Sequence, residues 1–155
     1  MPIPIEPSER ATILMELRKD RLSQADKIRD RAYQVLTSTI GLCSLVVGYL
    51  VQMKGEVGIS QRVVLLLTFF IIFSIVGFYI SELERGLVNQ FKILARLESL
   101  LGFYDAETFD LPESIFPVQW LKSPGQGKYF NFIKYSLASI AIFTCIAVLA
   151  KDVLF

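Results

Sequence analysis

The sequence predicts an all-α integral membrane protein with three transmembrane helices and a cytoplasmic antiparallel helical stalk. Three observations predict it: three uncharged apolar runs, an uneven distribution of Lys and Arg around them, and two charged amphipathic stretches that continue the first two runs.

The apolar runs are Ala32 to Met53, Val63 to Ile80 and Tyr135 to Ala150, which are 22, 18 and 16 residues long. A helix needs roughly 20 residues to cross a hydrocarbon core of about 30 Å. The third run reaches that length when extended back to residue 132, with Lys134 snorkelling its ammonium toward the headgroups. Helices are required because lipid cannot satisfy the backbone groups of an isolated strand. A hydrophobic content of 53% in 155 residues agrees with a single membrane domain, although a buried helix of a soluble core remains an alternative for the shortest run.

Residues 1–31 carry thirteen charges and no apolar stretch of signal-peptide length, so the first span is expected to act as the signal anchor. Seven Lys and Arg precede span one and six lie between spans two and three. Only two stand in the first connection (Lys54, Arg62), and one follows span three (Lys151). The positive-inside rule therefore predicts a multi-pass protein of the inner (plasma) membrane with its N-terminus in the cytoplasm and its C-terminus outside.

Several chemistries are excluded by composition. There is no histidine, so His-based triads, His metal sites and the commonest general base are missing. Cys43 and Cys145 both fall inside predicted spans, where they read as small packing residues rather than a disulfide, a zinc site or a redox pair. No phosphate-binding glycine loop, Gly-x-Ser-x-Gly motif or intramembrane carboxylate cluster is present. The expectation is a protein that is not an enzyme and carries no cofactor or metal. Acidic and basic residues nearly balance in both cytoplasmic segments, so there is no strong nucleic-acid signal and no polybasic lipid-binding patch.

Residues 8–31 form a cytoplasmic helix that enters span one (32–53) without an intervening proline or glycine. Span two (63–80) continues in the same way into a second cytoplasmic helix, 81–104, in which Gly86 and Gly102 are the weak points. On a helical wheel Leu83, Leu87, Phe91, Leu94, Ala95 and Leu101 share a face, opposite Arg85, Lys92, Arg96 and Ser99. Ala11, Leu14, Leu17, Ala25, Ile28 and Ala32 share a face of the first extension. Glu84 and Glu98 interrupt the second face; Arg18 and Arg29 lie in or beside the first.

An antiparallel register places Glu84 beside Arg29 and Glu98 beside Arg18, and such pairs discriminate strongly against misalignment. Reversing one charge should damage the pair and reversing both should restore it. The alternatives are a loose helix pair with solvated charges, or helices lying flat on the inner leaflet, against which the mixed charge argues.

From Asp105 to Asn131, Pro112, Pro117, Pro124, Gly125 and Gly127 predict a returning loop before span three (132–150). Its aromatic residues Phe109, Phe116, Trp120, Tyr129 and Phe130 suit packing on the stalk base, the interfacial belt or a ligand pocket.

Within span one, Thr37, Gly41, Ser44 and Gly48 form a stripe of small residues. Such a stripe permits close backbone approach between helices. It reads either as helix packing within one subunit or as the lining of an oligomeric pore, since three spans alone enclose no channel. The absence of charge deep in any span argues against a proton relay, a voltage sensor or a coupled transporter.

The charged helix before span one, the tight hairpin at Lys54-Gly55-Glu56 and the continuation from Glu82 to Gln90 together resemble small bacterial membrane effectors of the SLATT type, which occur with nucleotide-signalling defence systems. The resemblance is architectural and covers residues 8–104; the third span is additional to that two-span pattern. It implies a homo-oligomeric, pore-forming or membrane-disrupting effector controlled by a cytoplasmic regulatory protein or signalling ligand. A structural anchor for a cytoplasmic partner is the alternative.

Overall fold

A computed structural model of the chain describes residues 7–53, 57–105, 113–122 and 128–150. It contains four helices, α1 (Pro7–Gln52), α2 (Ile59–Leu100), α3 (Val118–Lys122) and α4 (Tyr129–Leu149), and no strand among the described residues. Three of them, α1, α2 and α4, are long and apolar enough to cross a membrane. The chain divides into two compact units, residues 1–29 with 84–127, and residues 30–83 with 128–155.

The second unit holds the apolar parts of the three long helices. Along α1 its buried positions are Ala32, Leu36, Thr39, Cys43 and Leu50, separated by intervals of three, four and seven residues. That spacing keeps one lengthwise stripe of α1 against its neighbours, as in the seam of a helix bundle. Cys43, Leu50, Val57, Phe69 and Val148 form one buried cluster, joined by half-buried Val46, Leu65, Phe73 and Ile140. Phe130, Ile133, Leu137, Thr144 and Ala147 continue the buried face of α4.

Outside that seam the unit is apolar and uncovered. Leu45, Tyr49, Phe70, Ile75, Phe78, Tyr135 and Phe143 all stand exposed. Only 11% of the most apolar 18-residue window of α2 is buried, and 28% of that of α4. A core helix of a soluble protein would be covered on most of its circumference. The soluble-core alternative for the third run thus loses its footing, since the apolar faces suit lipid as solvent.

Several boundaries differ from expectation. Helix α2 starts at Ile59, ahead of the apolar run at 63, where Gly58 donates its backbone N–H to Gln61 Oε1 at 3.3 Å, half of a capping box. Arg62 then binds backward and across: Nε donates to Val57 O at 3.0 Å and Nη1 to Leu149 O at 2.8 Å. A cation thus meets the negative end of α4, where carbonyls lack intrahelical partners. Helix α4 itself begins at Tyr129, and the expected loop from 105 to 131 contains the short helix α3. The turn residues Lys54 to Glu56, and Lys151 with the rest of the C-terminus, lie outside the described residues.

The first unit is built on two antiparallel helix segments, up to Arg29 in α1 and from Glu84 in α2. Their direction follows from paired contacts: Arg18 meets Glu98, Arg21 Nη1 donates to Gln90 Oε1 at 3.3 Å, and Ile28 packs by Gly86. Ala25, Leu87, Leu94 and Ala95 are buried here, whereas Ala11 and Leu17, expected on the apolar face of α1, are exposed.

Helix α2 stops at Leu100, four residues short of the expected 104. Gly102 adopts φ 79°, Gly102 N–H donates to Ser99 O at 3.1 Å, and Phe103 N–H donates to Glu98 O at 3.1 Å. These two bonds are the Schellman pattern, which requires the left-handed conformation that glycine adopts freely. Replacing Gly102 with valine should therefore destabilise the first unit by about 1–2 kcal/mol. A lowered apparent melting temperature of the purified chain, followed by circular dichroism, would show it.

Candidate functional site

Two places in the chain carry chemistry that packing alone does not demand. One is a polar and aromatic cluster in the first unit; the other is the outward face of α1 in the second.

The cluster centres on Glu98, a residue only 6% exposed. A buried carboxylate must be paired and hydrogen-bonded to remain charged. Arg18 Nε donates to Glu98 Oε1 at 3.0 Å, and the Tyr104 hydroxyl donates to Oε2 at 3.1 Å. Arg18 in turn lies against a pair of rings, its guanidinium carbon 5.5 Å from the centroid of Phe103 and 6.0 Å from that of Phe116. A planar cation of this kind gains from aromatic faces in a way a lysine would not.

The Schellman turn at Gly102 is what aims Phe103 and Tyr104 back toward α1. Phe116 is brought there by main chain, since its N–H donates to Phe103 O at 3.0 Å. Its ring stands edge-on to Phe103 with centroids 5.5 Å apart and tilted against Tyr104 at 6.0 Å. Ser114 Oγ donates to Phe116 O at 2.9 Å and fixes the local bend. The end of α2, the turn after it and the segment at Phe116 therefore converge on one guanidinium of α1.

Arg18 and Glu98, the pair expected from register, are thus together. Arg29 sits with its guanidinium over Phe91 at 5.4 Å and Nη1 3.4 Å from Asp26, while Glu84 is half-buried in the same unit. Tyr104, Phe103 and Phe116 were not expected in the cluster. Gly102 was its one available signal, as a weak point shortly after Glu98. Phe109 lies outside the described residues, as does the side chain of Trp120.

The stripe on span one points away from the chain. Thr37, Gly41 and Ser44 are exposed and Gly48 is half-buried; a Cβ added at Gly41 or Gly48 would meet nothing within 4 Å. Among the described residues, neither glycine has a close neighbour at its missing Cβ. The face that packs is instead rotated from it, through Leu36, Thr39 and Cys43. Thr37 Oγ1 donates to Tyr33 O and Gln34 O at 3.1 and 3.0 Å, so its hydroxyl proton is spent within its own helix.

Burial lifts the Tyr104 hydroxyl to about 12, reinforced by its hydrogen bond to Glu98 and by that carboxylate's charge, with Arg18 acting in the opposite sense. Because the folded value lies above a tyrosine's ordinary 10.0, this contribution to stability is complete below pH 10 and lost as pH rises toward 12. Phenolate absorbance should show a late-titrating tyrosine that Tyr104→Phe removes. Glu98→Gln should cost about 2–3 kcal/mol by leaving Arg18 without its carboxylate. Exchanging both charges should restore only part of that loss, because an arginine at 98 cannot accept from Tyr104. Thermal unfolding of the single and double variants would measure it.

Among the described residues no group of His, Cys, Asp and Glu is arranged to hold a metal ion. Cys43 and Cys145 are both free thiols. No known protein family, curated protein or solved structure matches the chain.

Proposed function

We propose that this chain is a non-enzymatic membrane effector, an oligomeric channel- or pore-forming subunit controlled from the cytoplasmic side, of the SLATT type and acting in bacterial antiviral defence. It resides in the plasma membrane with its N-terminus and the first unit in the cytoplasm and its C-terminus outside. The first unit then serves as the stalk that receives a regulatory protein or signalling ligand.

The observation that supports this reading is the open stripe. Thr37, Gly41, Ser44 and Gly48 lie along one face of a membrane-length helix with no neighbour at either glycine. Small residues at such a face let backbones of separate helices approach, and a ring of copies would place the hydroxyls of Thr37 and Ser44 at its interfaces or axis. A second reading, a membrane anchor for a soluble partner, draws on Ile13, Met15 and Leu17, which the first unit leaves exposed on α1.

The glycines allow a clean test, because added side chains there meet nothing in the chain itself. Gly41→Ile with Gly48→Ile should leave the fold intact yet reduce the oligomer by ten-fold or more, about 1.4 kcal/mol, with parallel loss of ion flux from liposomes. Light scattering in detergent reads the first and a dye-release assay the second. A wild-type chain that is monomeric and passes no ions would sink the channel. Co-purification of a stoichiometric soluble protein, lost on Met15→Glu, would favour the anchor.

A further inference from the structure

A groove of about 380 Å³ runs between α2 and α4 in the second unit. Its walls are Phe73, Gly77 and Ser81 on α2, and Lys134, Ala138 and Ala141 on α4. Small residues hollow it: no atom lies within 4 Å of a Cβ added at Gly77. Phe73 to Ser81 spans about 12 Å at the helical rise, close to the thickness of one leaflet of a core about 30 Å deep.

The groove is polar at one end only. Ser81 Oγ donates to Gly77 O at 2.9 Å, so it has no proton left for a ligand. Lys134 is the charged group of the lining and already interacts within the protein. An ammonium carries three N–H donors and can meet more than one acceptor at once. The chemistry offered is therefore one anion-binding group above a slot for hydrocarbon.

We infer that this groove is a binding site for an anionic phospholipid, whose phosphate meets Lys134 while one acyl chain lies along Gly77, Ala138 and Ala141. Charge complementarity commits the site to a lipid carrying net negative charge: a zwitterionic headgroup brings its own cation to the same place and gains less. The occupant belongs to the leaflet on the Lys134 side, which is the cytoplasmic one in the topology proposed above. This inference rests on that membrane reading.

The test is native mass spectrometry of the full chain in mild detergent, with phosphatidylglycerol and phosphatidylcholine of identical acyl chains supplied together. The wild type should retain phosphatidylglycerol about five-fold over phosphatidylcholine, the preference one lysine near an anionic headgroup provides. Lys134→Gln should bring that ratio close to one. Ala138→Phe, which fills the groove from an exposed position, should reduce retention of both lipids, and Lys128→Gln, exposed outside the groove, should leave the ratio as it is.

A wild-type ratio near one overturns the site, as does a ratio that survives Lys134→Gln. Equal loss in Lys128→Gln replaces it with diffuse surface charge. Unchanged lipid retention in Ala138→Phe with collapse of the oligomer gives the groove to a second copy. Displacement of the lipid by millimolar glycerol phosphate would assign Lys134 to a soluble anion. A chain that partitions into the soluble fraction without detergent overturns the membrane reading itself, whereas one that needs detergent and shows no lipid preference overturns this inference alone.

Discussion

The chain has far more apolar helix surface than it has protein to cover it, and this shortage governs the second unit. Three helices packed side by side can bury one seam each. Ala32, Leu36, Thr39, Cys43 and Leu50 take up that seam on α1, and Phe130, Ile133, Leu137, Thr144 and Val148 take it up on α4. The remaining circumference, with Leu45, Phe70, Phe78 and Phe143, must be solvated by something apolar. The same solvent forbids unpaired polar atoms, and the hydroxyls obey: Thr39, Thr68, Ser74, Ser139 and Thr144 each donate to a carbonyl four residues back.

Much of this was legible in the residues because the controlling signal is one-dimensional. An uncharged stretch of about 20 apolar residues needs no knowledge of its neighbours to be read as a span. The phase of the packing seam is different, because nearly every position in such a stretch is apolar. In span one the conspicuous small residues Thr37, Gly41, Ser44 and Gly48 drew attention to one face, while the buried face is carried by ordinary ones. The better signal was available in Ala25 and Ala32, seven residues apart. Continuing that interval reaches Thr39, and the companion positions Leu36, Cys43 and Leu50 follow at three and four.

The Arg18 cluster divides along the same line. Arg18 and Glu98 were readable from register, because two charges of opposite sign interrupting facing apolar stripes have few other uses. Tyr104 and Phe116 were not, since their arrival depends on a single left-handed residue, Gly102, that turns a helix end into a hook. A helix drawn on to 104 sends Phe103 and Tyr104 further along its axis; the Schellman turn sends them back. Glu98 is buried in consequence: with Tyr104 and Arg18 both donating, its two oxygens are each satisfied, which is the condition for a carboxylate to leave water.

What the residues hold back is chemistry, and the reason is physical. Spans without charge at depth and hydroxyls bonded to their own backbones give no reaction to deduce. Gly41 and Gly48 are then the informative exceptions. A glycine inside a helix costs roughly 0.5–1 kcal/mol relative to alanine, and here no packed neighbour within the chain gains from the missing Cβ. Among the described residues nothing offsets this local rule, broken twice on one face, seven residues apart, which is the observation behind the oligomer proposed above. In that oligomer, a second helix would use that space, since its backbone can come close there.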